Sequence, residues 1–177
     1  MTNYSVFNKS NSPLYTQMTN TYTSPGIESE PEGSAAKSGI LYTLSSGSVS
    51  VPASQSLLLQ AVNPAGSGKT MYVSRIMGGV TGSAAVFVYS GGTITGGTNP
   101  VPVNMLFGST SKSSMTTKQN TGTLGATFIN VISLPVSSGL YSIPLTGSIV
   151  VPVGQILTVT VGTGALTASI NIVWWEF

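Results

Sequence analysis

One stretch of the sequence carries the residue types of a phosphate cradle: Asn63-Pro64-Ala65-Gly66-Ser67-Gly68-Lys69-Thr70. Its end, Gly-Lys-Thr, matches a phosphate-binding loop, in which backbone N–H groups hold the anion and the Lys reaches the outer phosphates. That chemistry also needs Gly at the first position, where Asn63 stands, and a helix whose N-terminus meets the phosphate. The following residues Met71–Ile76 alternate like a strand, and no carboxylate stands nearby to hold a magnesium ion. The expectation is a turn between two strands, with Pro64 and the two glycines supplying its conformations. Gly91-Gly92-Thr93-Ile94-Thr95-Gly96-Gly97-Thr98 reads as a surface turn, since the aromatic and acidic groups that grip a sugar are not gathered there. A glycan-binding module is the third functional class considered.

The remaining reactive inventory is small. The chain has 177 residues, with no Cys, no His and no Asp. Its acids are Glu28, Glu30, Glu32 and Glu176, and its bases are Lys9, Lys37, Lys69, Arg75, Lys112 and Lys118. Without imidazole or thiolate there is no common general base, no thiol nucleophile and no usual zinc site. With three glutamates crowded into Glu28–Glu32, paired carboxylates flanking a substrate are not expected either. An enzyme is therefore not expected, and neither is a catalytic residue, a cofactor or a metal. The net charge of +2 is too small, and the bases too scattered, for nucleic-acid binding. No apolar run approaches the ~20 residues of a membrane span. Met1–Ser5 lacks the basic-then-apolar layout of a signal peptide, so the expectation is a protein made without one.

The elements that position these residues read as β throughout residues 39–177. Expected strands are Gly39–Leu44, Ser48–Val51, Ser56–Val62, Thr70–Met77, Ala84–Tyr89, Val101–Phe107, Ser113–Lys118, Thr127–Leu134, Gly139–Ile143, Ser148–Val151, Gln155–Val161 and Thr167–Trp175. They are short, rich in Val, Ile, Thr and Tyr, and spaced by Gly, Ser, Asn and Pro, as in a sandwich or barrel. No helix is expected, because no window holds a 3.6-residue period without Gly or Pro. Lys112 and Lys118 flank the strand Ser113–Lys118 as edge-protecting charges.

The chain also repeats itself. Gly47–Leu57 and Gly147–Leu157 share Gly, Ser, Val, Pro, Gln and Leu at identical offsets. Each copy reads as a short strand, a Pro-driven corner and a longer strand. Each then continues through a glycine-rich turn into another apolar strand, which is a hairpin signature. Two such units imply two related halves of one all-β, jelly-roll-like two-sheet sandwich. Alternation assigns Ile170, Ile172 and Trp174 to the core face of the last strand. Phe87 and Tyr89 lie opposite Val86 and Val88, so both faces of that strand are apolar and its outer face needs a cover. Trp175 poses the same question.

Residues 1–38 differ. They are polar, with thinly spaced apolar residues: Tyr4, Val6, Phe7, Leu14, Tyr15, Met18 and Tyr22. Prolines, glycines and glutamates crowd Ser24–Ser34, the composition of an extended linker. The expectation is an N-terminal connector arm whose β-prone runs, Tyr4–Phe7 and Thr19–Thr23, add a strand to a neighbouring subunit. Tyr4, Val6, Phe7, Leu14, Tyr15 and Tyr22 are its expected interface residues. Phe87, Tyr89 and Trp175 are the corresponding candidates on the domain.

Charged residues are 6% of the chain, against roughly 25% in an average domain, so little repulsion keeps copies apart. A polar connector, a jelly-roll domain and a terminal strand such as Ser169–Trp175 together resemble the subunits of bacterial endospore appendages. The phrases Val51–Leu57 and Asn63–Thr70 also look like those of spore-former and phage structural proteins. The resemblance implies a helical homopolymer on a spore surface or outside the cell, stacked through N-terminal connectors and augmented sheets. Some such fibres are stapled by disulfides. This chain has no Cys, so it resembles the disulfide-free types, and it names no anchor or tip protein. A phage virion decoration or tail protein, forming a closed oligomer, is the alternative.

Overall fold

The computed structural model describes residues 31–177, together with two short paired strands, β1 (Asn8–Lys9) and β2 (Ser12–Pro13). The remaining arm residues lie outside the described part. The body is a sandwich of two antiparallel sheets, of the all-β class that the sequence implies. One sheet contains β3 (Leu41–Ser45), β4 (Val49–Val51), β6 (Met71–Val80), β8 (Val103–Asn104), β11 (Gly139–Val151) and β13 (Leu166–Glu176). Its order is β11-β6-β13-β3-β8, with β4 also on β13. The other contains β5 (Ser56–Val62), β7 (Ala84–Thr93), β9 (Thr116–Gly122), β10 (Gly125–Val136) and β12 (Ile156–Gly162), in the order β10-β7-β12-β5-β9.

The sequence repeat becomes an approximate two-fold axis. β5 and β12 pair antiparallel with Leu59 opposite Val159, the same position in each copy. β6 and β13 pair in the other sheet, Ile76 opposite Ile172. The segments before the corners are exchanged: Val51 of β4 sits opposite Leu166 of β13, and Val151, at the end of β11, sits opposite Met71 of β6. Pro52 and Pro152 mark the corners where the chain leaves one sheet for the other. In each, the Gln amide donates back to the Pro carbonyl, Gln55 at 3.3 Å and Gln155 at 3.1 Å. In each, the residue before Gln has positive φ, 63° at Ser54 and 81° at Gly154. That conformation is the third position of a type II turn, which favours glycine.

One expectation is corrected here. β5 and β6 do not form a hairpin, and neither do β12 and β13, because each pair is divided between the two sheets. The glycine-rich turn arches across the sandwich. Two expected strands, Gly139–Ile143 and Ser148–Val151, are one strand, β11, with its register shifted between Pro144 and Ile149. Of Val101–Phe107 only Val103–Asn104 is strand, since Pro100 and Pro102 remove ladder donors.

The core lies between the sheets. Leu57, Leu59, Val73, Ile76, Val86, Val88, Val159, Val161, Ile170, Ile172 and Trp174 have no measurable exposure, so the faces assigned by alternation are the observed ones. Trp174 Nε1 donates to Glu176 Oε1 at 3.0 Å. The same buried carboxylate accepts from Ser113 Oγ at 2.5 Å and the Ser114 amide at 2.9 Å, so it ties the loop before β9 to the end of β13. A buried polar group persists only with such partners. Gly78 leaves room in β6 for Tyr141, whose hydroxyl donates to the Ser169 carbonyl at 2.8 Å; a Cβ on Gly78 would lie 2.5 Å from that hydroxyl.

A second correction concerns helix α1 (Pro31–Lys37), inside the stretch read as linker. Pro31 opens it, Glu32 and Lys37 suit its dipole, and Gly39 at φ 68° ends it. Ile40 N–H bonds Ala35 O and Gly39 N–H bonds Ala36 O, both at 3.0 Å, the paired bonds of a Schellman cap. Seven residues do not hold a helix alone. Ala35 packs with Leu41 and Val173, and Glu32 binds Arg75 at 2.6 Å and the Ser74 hydroxyl. The helix thereby covers the outer face of β13, and residues 31–38 pack on the body.

The two corners predict unequal responses. Gly154→Ala places a Cβ at positive φ and costs about 1 kcal/mol, lowering Tm by about 3 °C. Ser54→Gly removes the same penalty at the equivalent place and does not lower Tm; thermal melts of the two variants check the contrast. A pH effect follows from the phenols. Burial holds Tyr141 well above its usual range, and Tyr42 is raised by burial and then by the Glu176 charge. Both stay neutral when folded but ionise near pH 10 when unfolded. Their contribution is whole below about pH 10 and is lost as pH rises above it. Urea midpoints measured from pH 8 to 11 should fall at the alkaline end, and less steeply in Tyr141→Phe.

Candidate functional site

The phosphate-loop look-alike is a structural clamp. Asn63 is fully buried; its amide donates to Lys69 O at 2.8 Å and to Val151 O at 2.9 Å, and its oxygen accepts from Ser67 Oγ at 2.5 Å. Its backbone exchanges bonds with Gln155 O at 3.0 Å and the Gly154 amide at 2.8 Å. One side chain thus ties the β5–β6 arch to the opposite corner. Lys69 takes part through its carbonyl, and a strand follows it, as the sequence reading requires.

Phe87 and Tyr89 stand half-buried on the outer face of the β7 sheet. Their rings stack at 5.7 Å, and Phe128 meets Tyr89 edge-on at 4.8 Å. The cover is the protein's own chain. At Gly91 and Gly92, both with positive φ, β7 bends so that Thr93 pairs with Gly125. The Gln60 side chain holds Gly92 O at 3.0 Å, and Leu124 presses so close to Gly92 that a Cβ there would sit 2.8 Å away. A groove of about 280 Å³ remains among Leu58, Phe87, Tyr89, Leu124 and Phe128.

Trp175 lies on the opposite outer face. It stacks on Tyr72 at 5.7 Å with rings 8° from parallel, packs with the α1 cluster, and fills the space above Gly147. The structure therefore brings Phe87 and Tyr89 together and sets Trp175 apart. The arm candidates Tyr4, Val6, Phe7, Leu14, Tyr15 and Tyr22 lie outside the described residues.

A further apolar surface was not among the sequence candidates. β10 and β11 are the neighbouring edge strands of the two sheets, each hydrogen-bonded on one side only among the described residues. Between them a cleft of about 450 Å³ is lined by Tyr89, Val131, Ile149, Val151, Ile156 and Leu157. Val131 is the extra residue of a bulge between Asn130 and Ile132, which turns it out of the ladder. Ile129, two residues earlier on β10, is exposed, and Leu140, at the end of β11 away from the cleft, is 94% exposed. From Gln119 to Trp175 no residue is charged. The other edge of the β7 sheet, β9, carries Lys118, the charge expected to guard it. A long uncharged edge is the kind that pairs with another chain.

The opposite side of the sandwich presents a projecting loop. Val101 and Phe107 are 81% and 84% exposed, and Val103, Met105 and Leu106 are also exposed. The signal that could have found both surfaces is the spacing of charges: none occurs from Ile76 to Ser111 or from Gln119 to Trp175. Among the described residues no group of three His, Cys, Asp or Glu is gathered, and no helix is long and apolar enough to cross a membrane.

No protein-family model, no curated protein and no solved structure matches the chain.

The clamp and a phosphate site predict opposite mutational patterns. Asn63→Ala removes the amide bonds to the Lys69 and Val151 carbonyls and the acceptor of the Ser67 hydroxyl, and should cost about 2–3 kcal/mol in urea unfolding. Lys69→Ala should change stability by less than about 0.5 kcal/mol.

Proposed function

We propose that this chain is a self-assembling structural subunit of a fibre on a spore surface or otherwise outside the cell, in which the N-terminal arm of one copy adds a strand to a sheet edge of the next. The observation that carries the reading is the pair of long edges, β10 and β11, which are unpaired among the described residues and stand side by side without a charge from Gln119 to Trp175. A monomer selected to stay single commonly sets charges, Lys above all, on such edges; β10 and β11 carry Pro135, Pro144 and the bulge at Val131 but no charge. Helix α1 adds support. Glu32, in its first turn, is held by Ser74 and Arg75 of β6, the strand next to β11. The start of the described body thus lies one strand from that edge.

The energetics suit durable assembly. A five-residue strand addition gives several main-chain hydrogen bonds of roughly 0.5–1.5 kcal/mol net each. Burying two aromatic side chains of the arm adds roughly 1.5–3 kcal/mol each. Repeated along a fibre and with few like charges to oppose it, this holds subunits without disulfides.

Deleting residues 1–20 should leave a folded, soluble domain that no longer polymerises on negative-stain grids. Fibres unchanged by the deletion would refute the arm's role. A discrete small oligomer of the full chain in mass photometry would instead favour a closed virion-type assembly.

A further inference from the structure

The projecting loop and the open cleft fit each other. We infer that Met105–Phe107 of one copy docks into the cleft beside Val150 and Val151 of a second copy, so that copies associate edge to edge through side-chain burial. This rests on the self-assembly reading above, but it uses no residue of the arm.

The geometry that carries it is a single row across one sheet. Val151 of β11 is opposite Met71 of β6, and Met71 is opposite Glu176 of β13. The neighbouring Trp175 is opposite Leu41 of β3, and the Met105 amide donates to Leu41 O at 2.9 Å. Loop and cleft therefore lie at one level, at the two ends of a five-strand row roughly 20 Å wide. A copy shifted sideways along that row brings its loop to the cleft without a change of height.

Shape, charge and rigidity agree. Phe107 is 84% exposed, and the cleft is concave, with about 450 Å³ of space. A buried Phe removes about 150–250 Å² from water. Neither surface carries a charge that would have to be stripped of water, since Ile76–Ser111 and Gln119–Trp175 are neutral. The loop is already fixed in place: the Asn104 amide donates to Gly39 O at 2.8 Å, and its oxygen accepts from the Leu106 amide at 2.8 Å. Little conformational freedom remains to be lost on docking. Because the two surfaces differ and lie at opposite edges, the contact is heterologous and leaves a free loop and a free cleft on each pair. Such contacts propagate into open arrays or close into rings.

The absence of native Cys makes the test direct. Full-length Phe107→Cys and Val150→Cys variants, one carrying a size tag, are mixed and oxidised mildly, and disulfide dimers are separated by non-reducing electrophoresis. The mixed dimer should exceed either homodimer at least tenfold. Both sites are exposed, so each variant should melt like the parent. Homodimers equal to the mixed species, or no dimer while the parent assembles, would overturn the docking alone. A parent that stays monomeric at every concentration in sedimentation would overturn the self-assembly reading and the docking with it. Phe107→Asp gives a second readout: self-association should weaken at least tenfold with the melt unchanged, and unaltered association would count against the contact.

Discussion

The fold depends on one pairing, β5 against β12 with Leu59 opposite Val159. Once these two equivalent strands meet antiparallel, the rest of each repeat is placed by symmetry. Both corners then turn at a Pro, both exit into the second sheet, and β6 must meet β13 there. β4 and the last residues of β11 finish on the partner repeat's long strand. The core is the space enclosed by this arrangement, and its fully buried Leu, Ile, Val and Trp residues come from both repeats and from β7. Asn63 ties one repeat's arch to the other's corner, so a polar clamp reinforces what apolar burial begins.

Scarcity of charge shapes everything outside that core. Among the described residues one ion pair, Arg75 with Glu32, holds the helix, and half-exposed pairs of this kind contribute at most about 1 kcal/mol. The other carboxylate, Glu176, is buried and serves as a hydrogen-bond hub. The remaining polar work is done by amides and hydroxyls. Among the described residues no buried side-chain N or O lacks a partner. A neutral exterior of this sort is stable as a fold but offers few barriers between molecules.

How much was legible follows from which signals are local. Strand existence, face and the two Pro corners are written in period-two patterns and single residues, so Ile170, Ile172 and Trp174 fall where alternation puts them. Sheet membership is not local: a glycine-rich turn between apolar runs reads alike whether it closes a hairpin or arches between sheets, and β5–β6 is an arch. Helix α1 escaped because it contains Pro31 and Gly33 and is held by Ala35 burial and Glu32, which are tertiary effects. The aromatic pair Phe87–Tyr89 was visible in sequence, but its cover, Leu124 and Phe128, arrives from β10 and its preceding turn. The cleft by β11 was invisible because Val131 and Ile149 look like ordinary strand residues until a bulge and an open edge set them apart.

The exchanged strands carry an implication for ancestry. Within the repeats, every ladder partner of one copy that belongs to a repeat lies in the other copy: β4 on β13, β11 on β6, β5 on β12, β6 on β13. Such wiring is what tandem duplication of a domain-swapped homodimer would leave behind. A primordial half-length polypeptide bearing a single corner would have been incomplete in isolation and whole only as a twin, with fusion later making that obligate partnership intramolecular.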